Sequence, residues 1–300
     1  MLDKEIIIRR LATIKYLYNI GIQQSRQVET VAGFSILTFH DCAEMFLILV
    51  AEAKNDQSER LHFMDYWEKY PELTLKESMR NLKDQRVNIK HKGQFPSKTD
   101  VEISRITIND FFAQNCIIQF GIDFSNISVA NLILYNDVRE YVNRAETAYK
   151  NGHLHDSLVN SKIAFVELLD IYDSNKIDDI KSSCLLSIGD KINKDYEKFA
   201  NHHNKTEMSW YRQVTETINK IRDTLKITSL GIDYRKYTYF DEVTPSVGLC
   251  WKDDKWEYEA WPKIYNKERL DRKESCRFCI DFVIDCALKL QDFDYDINNI

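Results

Sequence analysis

Glycine and proline are scarce, eight and four in 300 residues. So few turn-formers argue against many short strands and for long helices. Long apolar runs are missing as well. No stretch reaches membrane-spanning length, and the N-terminal MLDKEIIIRR lacks the layout of a signal peptide. The seven cysteines, at 42, 116, 184, 250, 276, 279 and 286, are an odd, scattered set that suggests no disulfide framework. Reduced thiols in a cytoplasmic protein are expected. Cys276 and Cys279 form a C-x-x-C without a second pair at ribbon spacing, and they share a helical face with Phe282 or Val283, which reads as core packing. Phosphate-cradling glycine loops and serine-hydrolase elbows are absent. His153 with His155, and His202 with His203, have no cysteine or carboxylate set at ligand spacing. No cofactor or metal is therefore expected. The net charge of -6 gives no global basic field, so nucleic-acid binding would need a local patch.

What is present is a globular composition, 44% hydrophobic and 29% charged, in a chain long enough for two domains. Ile7, Leu11, Ile14 and Tyr18 predict a helix over 5–20 ending at Gly21. Ile36, Phe39, Ala43, Phe46 and Val50 predict a longer one over 26–53. Further helices are expected at 59–69 and 73–89, and one starting near Thr107, with Asp110 three residues on as a cap. KHKGQFPSKTD reads as a loop, with Gly93 and Pro96 as breakers. The second half predicts helices at 129–151, 154–173, 177–200, 207–227 and 266–291. VGLCWKDDKWEYEAW alternates around a charged turn, the pattern of a β-hairpin near 246–261. Its Trp251, Trp256, Tyr258 and Trp261 are expected to pack onto helices. A helix, a glycine (Gly21, Gly152) and a second helix recur in 5–53 and 134–173, which would fit a duplicated unit.

The anomaly is in the helix 73–89. Its apolar stripe runs Leu75, Met79, Leu82, Arg86, Ile89, so a guanidinium occupies a position meant for a hydrocarbon. That is costly unless it is paired or opens onto a cleft. Between Leu82 and Lys98 stand Lys83, Arg86, Lys90, Lys92 and Lys98 against one anion, Asp84, which inverts the sign of the chain locally. His91 follows Arg86 by five positions. A structural reading is also open: Arg86 pairs with Asp41 or Glu44, and His91 caps the helix end.

Arg86-Val87-Asn88-Ile89-Lys90-His91-Lys92-Gly93 resembles the Arg-x4-6-His signature of the HEPN superfamily. TFHDCAEMFLILVAEA, with Asp41 and Glu44, is similar to that family's second helix. The resemblance covers roughly residues 5–125. Val87 stands where family members often have Asn, Asp or His. Gly93 replaces the tyrosine of the members that a partner nucleotidyltransferase modifies, which argues against that scheme. The resemblance implies an all-α protein, with a helical bundle of HEPN type over 1–126. A second helical domain over 127–300, possibly a degenerate duplicate, would carry the hairpin. It further implies a metal-independent endoribonuclease, of the toxin or phage-defence kind. His91 would be the general acid/base and Arg86 the phosphate-stabilising cation, with Lys83, Asn88, Lys90 and Lys92 holding RNA. Two such domains would pair as a homodimer, and there is room for an operon-encoded regulatory partner. The alternative is a non-catalytic RNA- or partner-binding helical module. In a duplicated second half, Arg235 would answer to Arg86 and Phe240, which transfers no proton, to His91.

Overall fold

The computed structural model describes residues 2–55, 61–179, 205–252, 254–261 and 272–292. Within them the chain is mostly helical with one small antiparallel hairpin, the all-α class expected from the sequence. It divides into two compact units, Met1–Leu132 and Ile133–Ile300.

In the first unit α1 (Lys4–Ser25), α2 (Glu29–Ala32), α3 (Ser35–Ala53), α4 (Tyr66–Lys69), α5 (Lys76–Lys92) and α6 (Lys98–Phe120) are followed by 3-10 turns at Phe124–Asn126 and Val129–Leu132. The core holds Phe39, Phe46, Phe111 and Phe112, all fully buried. Phe46 meets the edges of Phe111, Phe112 and Phe120 at centroid distances of 5.5 to 5.7 Å, and Phe112 stacks on Phe124 at 4.4 Å. Such ring pairs add to what burial alone gives.

Several expected boundaries move. Gly21 does not end α1 but lies inside it, where a Cβ would come within 2.6 Å of the Phe39 ring. The glycine is there for the close approach of α1 to α3. The 26–53 helix is broken at Gly33 and Phe34 into α2 and α3. Of the 59–69 helix only the single turn α4 forms among the described residues. α6 starts at Lys98 rather than near Thr107, because Ser97 and Asp100 close a reciprocal capping box there: Oγ of Ser97 accepts from the Asp100 amide at 3.2 Å, and Asp100 Oδ2 from the Ser97 amide at 3.1 Å.

The motif helix α5 runs three residues further than predicted, through His91 to Lys92. Gly93 ends it in the left-handed region (φ 65), with its amide bonding Ile89 O and that of Gln94 bonding Asn88 O, each at 3.2 Å. At the other end Leu75 is held left-handed, at φ 60. The fully buried Asn115 fixes that turn. Its Oδ1 accepts from the Thr74 amide at 2.9 Å and its Nδ2 donates to Thr74 Oγ1 at 3.0 Å, while Trp67 Nε1 donates to Thr74 O at 2.8 Å. A strained residue persists only where its surroundings over-determine it.

The second unit contains α7 (Asn136–Lys150), α8 (Leu154–Asp179), α9 (Lys205–Ser229), α10 (Tyr234–Val243), β1 (Ser246–Lys252), β2 (Lys255–Trp261) and α11 (Lys273–Asp292). α7 begins seven residues later than position 129, after the 3-10 turn. The helix expected over 177–200 falls, from 180 on, outside the described residues, as do Cys184, His202 and His203. Phe165, Phe240 and Phe282 pack together at 4.8 to 5.5 Å, and Cys276 and Cys279 are buried in α11 as the core reading expected.

The hairpin pairs Ser246 with Trp261 through to Lys252 with Lys255. Only part of its aromatic set packs as expected. Tyr258 donates to Glu167 Oε2 of α8 at 2.5 Å and sits edge-on to Tyr141, whereas Trp251, Trp256 and Trp261 are exposed.

The two candidate repeat halves are not equivalent. Gly152 ends α7 in a left-handed turn while Gly21 is mid-helix, and Arg235 opens α10 where Arg86 lies toward the end of α5. Phe240 is fully buried core.

Candidate active site at the α3–α5 seam

α3 packs its buried face, Ile36, Phe39, Ala43, Phe46 and Val50, into the bundle. A polar edge, His40, Asp41 and Glu44, remains beside α5. Positions i and i+4, and i+1 and i+4, share a helix face, so the three side chains converge. His40 is buried to 3% exposure and stacks on Phe63 at 4.2 Å, which fixes the plane of its ring. Its Nδ1 lies 3.7 Å from Asp41 Oδ1 and 4.0 Å from Glu44 Oε2.

α5 presents Met79, Leu82 and Ile89 to the core, and Arg86 continues that stripe as the sequence predicts. Its side chain is 24% exposed and its Nε stands 4.0 Å from Asp41 Oδ1. That is within ion-pair range and too long for a hydrogen bond. Both His40 Nδ1 and Arg86 Nε are buried without a hydrogen-bond partner among the described residues. Two orphaned polar nitrogens against one carboxylate are unusual in a folded interior, where such atoms are normally satisfied. Asp41 is held below the usual carboxylate range, first by His40 beside it and then by the positive charges of Arg86 and Lys90.

The remaining sequence candidates are on the same helix. Lys83 and Asn88 are half-buried; Lys90, His91 and Lys92 are exposed in the last turn, where positive charge favours the helix C-terminus. Lys92 donates to Asn88 Oδ1 at 3.0 Å, so these two act as one polar pair. At 3.6 residues per turn, Arg86 and His91 project about 140° apart and about 7.5 Å along the axis. Arg86 thus faces α3 while His91 points to a different sector of the surface.

His40 is the residue that the pattern reading passed over. Its signal was the run His-Asp-x-x-Glu inside an otherwise apolar helix. With Asp41 and Glu44 it forms a set of three potential metal ligands, their donor atoms all within 4.8 Å of one another. The expectation of no metal rests on the histidine pairs at 153/155 and 202/203, and does not weigh this set beside Arg86. Among the described residues no such set forms at His153 and His155. No helix of the described residues is long and apolar enough to cross a membrane. No family model, curated protein or solved structure matches this chain.

Proposed function

We propose that the chain is a metal-independent endoribonuclease of HEPN type, with Arg86 and His91 as its reacting groups. The observation that carries this reading is Arg86 itself, a guanidinium on a core stripe whose buried Nε has no hydrogen-bond partner among the described residues. Its helix ends in Lys90, His91 and Lys92. A donor held ready and undersatisfied is suited to an oxyanion that arrives with substrate.

In the reaction the ribose 2′-oxygen attacks the adjacent phosphorus and the 5′-oxygen leaves. One proton is removed from the 2′-hydroxyl and one is delivered to the leaving oxygen. His91 serves at one of these oxygens as base or acid, and Arg86 balances the charge gathering on the non-bridging oxygens. Since the two diverge on α5, the pair that meets one phosphate is His91 of one copy and Arg86 of a second. The products are a 2′,3′-cyclic phosphate and a 5′-hydroxyl. Lys83, Lys90 and Lys92, the last steadied by Asn88, hold the backbone through a salt-sensitive interaction.

Cleavage of total RNA in EDTA, with fragments bearing those ends, is the expected result. Activity lost on chelation and restored by a divalent ion would overturn the mechanism. RNA retained in a gel shift without fragments would instead select a non-catalytic binding module.

The reading also takes the active form to be a homodimer. One acidic chain offers few phosphate contacts, and a second copy doubles the basic patch. The surface next to the motif suits that pairing. Phe95, four residues past His91, meets Phe34 edge-on at 5.0 Å, and Val28, Val31, Phe34 and Phe95 are all exposed. Such an apolar cluster favours association. Light scattering across a concentration series should give twice the chain mass, falling to one chain in Phe34→Asp or Phe95→Asp. A strict monomer at all concentrations would remove the dimer.

A further inference from the structure

We propose that His40, Asp41 and Glu44 form a binding site for a divalent transition-metal ion of the zinc class, set against the guanidinium of Arg86. The argument begins with the orphaned imidazole nitrogen. His40 is almost wholly buried, its plane is fixed by Phe63, and its Nδ1 is aimed between two carboxylates at 3.7 and 4.0 Å. If Nδ1 carries the proton, both acceptors are too distant for it to donate a hydrogen bond. If it carries the lone pair, that lone pair faces two anions. Either neutral tautomer leaves a desolvated polar atom without a hydrogen bond, which is costly in a protein interior. A cation placed between the three atoms relieves it. One imidazole nitrogen and two carboxylate oxygens on consecutive turns of one helix are suitable zinc ligands, with bonds near 2.0–2.2 Å. The carboxylates need to close by no more than an ångström or so toward the fixed imidazole. Asp41, at 54% side-chain exposure, has the room to do so, and Glu44 Oε2 already stands 4.0 Å from the imidazole nitrogen. A nitrogen ligand favours zinc, cobalt, nickel or copper over magnesium or calcium.

Arg86 and Lys90 oppose a dication here, so the affinity is expected in the micromolar range. The same proximity gives the ion a consequence, which rests on the nuclease reading. A metal bound to Asp41 takes the carboxylate that faces Arg86 and places a like charge beside the guanidinium. Zinc is then an inhibitor of cleavage, and EDTA relieves it rather than abolishing activity.

The test separates the two ideas. The EDTA-dialysed full chain is titrated with Co2+ and followed by visible absorption, without RNA. One equivalent should bind, with d–d bands and no sulfur charge-transfer band, and Zn2+ should displace it. Glu44→Gln and Asp41→Asn, each checked as folded by circular dichroism, should each weaken binding at least tenfold. No binding at millimolar Co2+, a sulfur charge-transfer band, or binding unchanged in both variants would overturn the site whether or not RNA is cut. Binding as described in a chain that cuts no RNA would keep the site and remove only its regulatory consequence.

Discussion

His91→Ala and Arg86→Ala should each lower RNA cleavage by about 10²–10⁴-fold, the range that a positioned acid/base or a phosphate-facing donor contributes. The two variants should differ in everything else. His91 is exposed in the last turn of α5, so its removal should leave the melting temperature almost unchanged. Arg86 borders the buried edge of α3 and faces Asp41, so its loss should also alter the thermal transition. Arg86→Lys should not restore the rate, because an ammonium cannot donate in the forked geometry of a guanidinium. Single-turnover cleavage of a labelled RNA, alongside melting curves, distinguishes these outcomes. His91→Ala cutting at the wild-type rate would exclude it as the acid/base.

Phe46→Ala should destabilise the first unit by about 3–5 kcal/mol, the usual cost of deleting a fully buried ring. The ring is surrounded by Phe111, Phe112 and Phe120, none of which can follow a vanished side chain without leaving its own contacts. Against a domain stability of about 5–15 kcal/mol this is a large share. Denaturant titration of the variant should show an earlier transition. A loss below about 1 kcal/mol would mean that the neighbouring rings close the space.

The class of the fold was legible because few glycines and prolines leave little alternative to helices, and because apolar spacing marks helices strongly. Most of what was misplaced belongs to pairs of elements rather than to single segments. Gly21 looked like a stop because sequence does not reveal Phe39 across the bundle. The start of α6 was missed for a different reason. Ser97 and Asp100 lie in a polar stretch whose capping role was read three turns too late, at Thr107 and Asp110. Arg86 stood out because a charge on an apolar stripe is visible in one dimension. His40 did not, since its meaning comes from the ring of Phe63 behind it and the two carboxylates that its Nδ1 faces. The hairpin was legible from alternation, but nothing in that alternation says which of its aromatic side chains meet a helix.

Among the described residues five cysteines, Cys42, Cys116, Cys276, Cys279 and Cys286, are buried. Burial pushes the Cys116 thiol up to about 12 and raises Cys42, Cys276's neighbour Cys279, and Cys286 as well. Cys42 and Cys116 belong to the first unit, and Cys276, Cys279 and Cys286 to the second. A thiolate-seeking reagent reaches such sulfurs only when the surrounding structure opens. Each unit therefore carries its own chemical clock: the rate at which these buried sulfurs are modified counts the openings of the unit that holds them.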